Sequence, residues 1–453
     1  MFSKVRNAIT RWYLSFYLHR YFYLALFGIG VIFALSYFVP LLMSIAKSLC
    51  VILSVTVLAD AMALYFNRNG IEAVRHIPGN RLSNGDENPV HISVQNNYGF
   101  PVRIRVIDEI PVQFQKRNFY LPATIPANGH HHLQYTLRPV SRGEYHFGRL
   151  LIFVNGPLQM VTRRYALAQE TTVPVYPSYV QMNKYQLLAF NDRLNELGVK
   201  RVRRVGHSLE FEQIKEYVPG DDYRTINWKA TARRNNLMVN TYTDEKSQPL
   251  YCVIDMGRSM KMPFEKMTLL DYAINTSLVL SHTALMRYDK AGLITFAHQS
   301  DTFLPAAHHS TQLARIMESL YNLNTTFLES NFDRLHAQVR RRIKQRSLLV
   351  LFTNFETPYS MERQLPYLKA MARHHLLLVV FFENTEVKNV FTRPASDLQE
   401  IYIKTIAGKM LYEKRLVEKQ LRQHGIMSLL TAPQQLTVNV INKYLEIKAR
   451  NIL

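Results

Sequence analysis

Between Leu209 and Val239 the chain reads LEFEQIKEYVPGDDYRTINWKATARRNNLMV, the stretch where residues able to do chemistry crowd most closely. A Pro219-Gly220 turn is followed at once by Asp221, Asp222, Arg224, Trp228, Lys229 and Arg233. Adjacent carboxylates are what acid–base work requires. Carboxylates alternating with guanidinium groups around one tryptophan can equally build a bidentate ion-pair network. No nucleophile, histidine or glycine-rich phosphate cradle accompanies them in the segment. Elsewhere the sequence carries no GxSxG elbow, Walker A loop, HExxH or Cys–His zinc spacing. His130, His131 and His132 are the tempting metal cluster. Successive side chains on a strand point to opposite faces, so three in a row do not converge on one ion, and an exposed edge or loop is expected there.

The elements that position these residues fall into several regions. With 453 residues, the chain exceeds one compact core, and about three units are expected. A hydrophobic share of 47% and a charged share of 20% describe a globular protein and exclude a disordered one. The net charge of +21 suits either phosphate neutralisation or an anionic lipid surface. Its densest runs, KRVRR at 200–204 and RRRIKQR at 340–346, read as solvated or lipid-facing surface, the second closing a helix where cations suit the negative dipole end. Cys50 and Cys252 lie in an apolar membrane-length stretch and in a buried-strand pattern, so no disulfide between them is expected.

From Tyr21 to Phe66 the sequence is almost unbroken apolar residue, long enough for two passes of about 20 residues each. Pro40 marks the turn, giving expected spans at Tyr21 to Val39 and Ala46 to Phe66. Lys4, Arg6, Arg11 and Arg20 precede the first span and Lys47 alone follows the turn, which predicts a cytoplasmic amino terminus and a hairpin returning there. Asp60, near the inner end of the second span, reads as a helix-pairing or interfacial acid. Between Asn67 and Ser178 short alternating runs such as 90–94 and 102–106, punctuated by turn residues, predict a small immunoglobulin-like β-sandwich.

The run from EYVPGDD through INWKATARR to LMV resembles the signature of the domain-of-unknown-function 58 family. Asn227 stands where that family usually has an aspartate. RPVSRGEYHFG (138–148), NGPLQM (155–160) and VPVYP (173–177) are similar to its β-domain landmarks. The resemblance implies a membrane-anchored scaffold or adaptor working beside a MoxR-type AAA+ ATPase, in the bacterial inner membrane with its soluble domains cytoplasmic. It implies protein partners and no chemical reaction. For the PGDD cluster two readings stand, a packed ion-pair element and a partner-contact site. A hydrolase using its carboxylates and a basic nucleic-acid binder are the alternative functions.

After Pro249 apolar strands alternate with helical stretches, the rhythm of a doubly wound parallel sheet. Ligands in such sheets collect at the carboxyl ends of the strands. There VIDMGRSM places Asp255 and Ser259 in an arrangement that resembles the metal-ion-dependent adhesion site of von Willebrand factor A domains. That site wants Asp-x-Ser-x-Ser, a threonine and a further aspartate. Here Gly257 replaces the first serine, Thr326 or Ser330 would serve as the loop hydroxyl, and Asn354 offers an amide in place of a carboxylate. The expectation is no cofactor, or at most weakly held Mg²⁺. The organisation expected is a membrane anchor at 1–66, a β-sandwich at 67–178, the signature segment at 179–247 and a von Willebrand factor A-like domain at 248–453.

Overall fold

A computed structural model of the chain describes residues 15–450, apart from 68, 118, 168, 179–209, 220, 244–246, 299–301 and 396. Gly220 and the basic run at 200–204 therefore lie outside the described residues. The chain divides into two compact units, Met1–Val175 and Tyr176–Leu453.

In the first unit, helices run over Arg20–Leu35 and Leu41–Phe66. The first has 16 residues, about 24 Å of rise, which falls short of a bilayer core of about 30 Å. The second has 26 residues and a mean hydropathy of 2.2, long and apolar enough to cross a membrane. Of the two spans expected from the sequence, one is thus long and apolar enough to cross a membrane on its own among the described residues. The first helix stops early because Ser36 turns its hydroxyl onto the Phe33 carbonyl and Val39, ahead of Pro40, is disfavoured in the helical region.

The anchor and the β-rich segment, separate in the sequence reading, pack as one unit. A five-stranded antiparallel sheet takes in Phe16–Leu18, Val161–Leu167, Leu150–Asn155, Val102–Asp108 and Leu121–Ile125 in that order. Two three-stranded sheets, built on Asn88–Asn96 and Thr171–Tyr176, share its core. Alternate residues supply that core, as in Val90, Ile92 and Val94. His130 and His132 lie on the outer face of an edge strand, with His131 on the other side.

Helix Leu41–Phe66 ends inside this domain. The buried Asp60 carboxylate accepts the N–H groups of Leu158 (3.0 Å), Met160 (2.9 Å) and Val161 (2.8 Å). Gly156 is required beside it, since a Cβ there would lie 2.2 Å from Asp60 Oδ1. The helix's last turn is closed by the Tyr98 hydroxyl, 2.8 Å from the Leu64 carbonyl, and by Arg163, which donates to Leu64 and Asn67. Asp60 thus ties the helix to the β-domain, and NGPLQM is the loop that holds it.

In the second unit a six-stranded sheet comprises β1 (Pro249–Asp255), β2 (Lys290–Phe296), β3 (Thr302–Ala307), β4 (Leu348–Phe352), β5 (Leu376–Phe382) and β6 (Met427–Thr431). Their spatial order is 3-2-1-4-5-6, parallel throughout except for β3 at the edge. This is the expected doubly wound α/β domain. Leu250, Cys252 and Ile254 face helices α1 (Leu269–Met286), α2 (Gln312–Tyr321) and the carboxy-terminal Leu436–Ala449. Tyr251 and Val253 face α3 (Phe332–Arg342), α4 (Pro358–His374) and Leu398–Gln423. The sequence reading missed β3, which Pro305 disguises and an edge position tolerates. The basic run after 340 closes α3 as expected.

Ahead of the sheet, strands Glu210–Glu216 and Met238–Thr243 pair antiparallel. They carry a short helix, Trp228–Arg234, between them.

Candidate functional site

Asp255 ends β1 and is 1% exposed. Its Oδ1 accepts the Gly257 N–H at 2.8 Å and the Ser330 hydroxyl, and its Oδ2 accepts the Thr353 hydroxyl at 2.6 Å. Burial pushes the carboxyl above its usual range, while these donors pull it back. Of the two candidate loop hydroxyls, Ser330 reaches Asp255, and Thr326 is exposed to solvent. Gly257 is a matter of space: its φ of −84° suits any residue, but a Cβ would lie 1.9 Å from Ser330 Oγ. Ser330 therefore occupies the place of the missing serine. Ser259 lines the same cleft, ≈ 1080 Å³ in volume, together with Asn354, Arg258, Lys261, Glu329 and Arg363.

Asn354 carries the second difference. Its Nδ2 donates to the Ser259 carbonyl at 3.4 Å, and its Oδ1 accepts the Lys414 ammonium at 2.5 Å. A divalent ion wants several free oxygen ligands and negative charge. Here the carboxylate is engaged by internal donors, one hydroxyl position is sterically closed, and an amine stands beside the last position. This donor set does not fit Mg²⁺. Lys414 was illegible in the sequence because it reaches the sheet from a distant helix. Burial pushes its amine down to about 8, with Glu356 pulling it back up.

The signature residues form a second surface. Asp221 accepts the Lys215 ammonium (2.8 Å) and the Val218 N–H (3.0 Å), and the Lys215 contact together with the turn holds its carboxyl below the usual range. Asp222 caps the next turn through the Arg224 N–H at 3.0 Å. Asn227 caps the short helix through the Ala230 N–H, a role aspartate fills equally well. Trp228 is 71% exposed and Tyr223 68%, with Arg224 over the Tyr223 ring at 5.7 Å. Pro219, Arg224, Lys229 and Arg233 are exposed as well. The packed network expected around the tryptophan is corrected on this point: the acids shape the turns, and the aromatic and basic side chains face outward. The reason lies in length, since a seven-residue helix on a two-stranded hairpin has too little surface to bury an indole.

A third feature escaped the sequence reading. Helix Leu398–Gln423 exposes Leu398, Tyr402, Ile406 and Met410 at four-residue intervals. Apolar periodicity alone predicts burial of such a stripe, so exposure had no sequence signal.

Residues 213–388 match the family model described as protein of unknown function DUF58. The uncharacterized protein YeaD of Bacillus subtilis (strain 168) is 26% identical over 261 residues, covering 54% of this chain and 60% of YeaD. The chain thus spans about three fifths of that relative's length. Among solved structures, the SpRpn10 VWA domain is similar at 13% identity and a TM-score of 0.26, over 43% of this chain and 94% of that one. A von Willebrand factor type A structure from Catenulispora acidiphila is similar at 13% identity and a TM-score of 0.26, over 45% and 42%. The CARDB domain of the PF1109 protein from Pyrococcus furiosus is similar at 14% identity and a TM-score of 0.16, over 22% and 87%.

Proposed function

We propose that this protein is a membrane-anchored, non-catalytic scaffold or adaptor that presents its signature hairpin to protein partners, a MoxR-type AAA+ ATPase among them. The observation that carries the reading is the outward-facing set of Trp228, Tyr223, Arg224, Lys229 and Arg233. Tryptophan, tyrosine and arginine dominate the energetics of protein interfaces, and an exposed tryptophan has a desolvation gain still to realise on contact. Asp221 and Asp222, the acids a hydrolase would need, serve as turn and cap acceptors, which favours the adaptor over the enzyme. In this account helix Leu41–Phe66 crosses the bacterial inner membrane, and Arg20–Leu35, lengthened by the largely apolar residues 36–39, forms the other arm of a hairpin. The cations Lys4, Arg6, Arg11 and Arg20 keep both outer ends and the soluble units cytoplasmic. The adhesion-type cleft at Asp255 works without a divalent ion.

A photo-crosslinking amino acid at position 228 of the full chain, irradiated in cells, tests the proposal. Adducts with a AAA+ ATPase support it. Adducts with lipid or nucleic acid alone, or none, overturn it.

A further inference from the structure

Next to the adhesion-type cleft, and distinct from the signature surface, lies a smaller cavity of ≈ 200 Å³. Its walls are largely apolar, with Phe264, Leu269, Phe382, Val387, Met410 and Leu411 among the lining. Lys414 is one of the lining residues, and so is Asn354, which its ammonium contacts. The amine gives one hydrogen bond, to Asn354 Oδ1, among the described residues. Two acids also line the cavity. Glu383 is already paired with Lys388 at 3.2 Å, and Glu356 is exposed to solvent.

A largely apolar cavity with a few polar groups on its wall is the usual form of a small-ligand site. Burial penalises the Lys414 ammonium, and one neutral acceptor with the solvent-exposed Glu356 offsets that only in part, so a further anion at the amine is favoured. The volume lies below the roughly 300–1,000 Å³ of sites for drug-sized molecules, so the ligand is small. The cavity also sits at the carboxyl ends of the strands, where α/β sheets collect ligands. We propose that this cavity binds a short aliphatic carboxylate, its anionic head on Lys414 and its hydrocarbon body against Phe264, Phe382, Met410 and Leu411. Binding is reversible and non-covalent, with the ammonium–carboxylate pair as its polar anchor.

The test uses the full chain in detergent, with its lysines reductively dimethylated by ¹³C-formaldehyde and Lys414 assigned by comparison with Lys414→Met. Hexanoate is the probe and hexanamide its neutral control. Saturating hexanoate raises the titration midpoint of the Lys414 amine, because a carboxylate stabilises the charged form. Lys414→Met, which keeps the packing, weakens hexanoate binding about tenfold or more, the scale of a lost charge-assisted contact. Leu411→Trp fills the cavity and abolishes binding while leaving the amine in place. Equal binding of hexanoate and hexanamide, an unmoved Lys414 midpoint, or undiminished affinity in both variants overturns the proposal. So does the absence of hexanoate binding to the unsubstituted chain. Because none of these readouts involves residues 221–234, the outcome is separate from that of the adaptor reading.

Discussion

Substituting Gly257 isolates the chemistry of the strand ends most cleanly, because the residue is there for space and its backbone is ordinary. Gly257→Ala brings a methyl against Ser330 Oγ, at a separation of 1.9 Å before relaxation, and overpacking of this kind costs about 1–3 kcal/mol. The cost should shrink when Ser330→Ala is made in the same chain, a coupling that a double-mutant cycle in thermal melts measures directly. Equal costs in both backgrounds would show that Ser330 does not fill the place of the missing serine. The sequence made Asp255 legible, since a carboxylate closing an apolar strand sits where α/β sheets gather ligands. It left Thr326 and Ser330 undecided, because both lie on one loop and only tertiary geometry chooses between them. Lys414 was beyond reach for a related reason. Nothing local to Leu411 or Val417 signals that the side chain between them bonds Asn354, 60 residues away in the chain.

Among the elements, the helix Leu41–Phe66 carries the clearest consequence. Its last turns are held by protein, so the stretch available to lipid in the proposed anchor is 41–59, about 28 Å of helix, close to one bilayer core. Asp60→Ala leaves the N–H groups of Leu158, Met160 and Val161 without their acceptor. Each buried group so orphaned costs about 1–3 kcal/mol. The full chain in detergent should therefore melt well below the unsubstituted protein, and Asp60→Asn, which keeps one acceptor oxygen, should fall between them. An unchanged melt for Asp60→Ala would mean that the loop and helix are not locked together. The sequence showed the helix and its acid, and it showed NGPLQM as a landmark. It did not join them, because a carboxylate bound by backbone N–H groups has no side-chain partner to recognise. The signature segment failed in the opposite direction: alternating charges around Trp228 suggested packing, and the hairpin that carries them proved too small to bury the ring.

At the scale of the whole molecule, the strand–helix alternation predicted the doubly wound sheet and the short alternating runs predicted the β-rich region, each because burial on two faces or one leaves its own period. The first membrane span was not borne out as a full-length helix, since the chain leaves the helix at Ser36, four residues ahead of Pro40. What joins these parts into one account is the claim that the chain works by holding a partner, through the exposed face around Trp228. The direct measurement is quantitative recovery of the MoxR-type AAA+ ATPase with the tagged full chain from detergent-solubilised membranes, compared between the unsubstituted protein and a Trp228→Ala, Arg224→Glu variant. Surface changes of this kind shift stability by no more than about 0.5 kcal/mol, so both proteins should melt alike. The account predicts that the ATPase comes down with the unsubstituted chain and falls about tenfold or more with the variant, the loss of one interface hot spot. Equal recovery with both proteins, absence of the ATPase from both, or a variant that simply unfolds would contradict it.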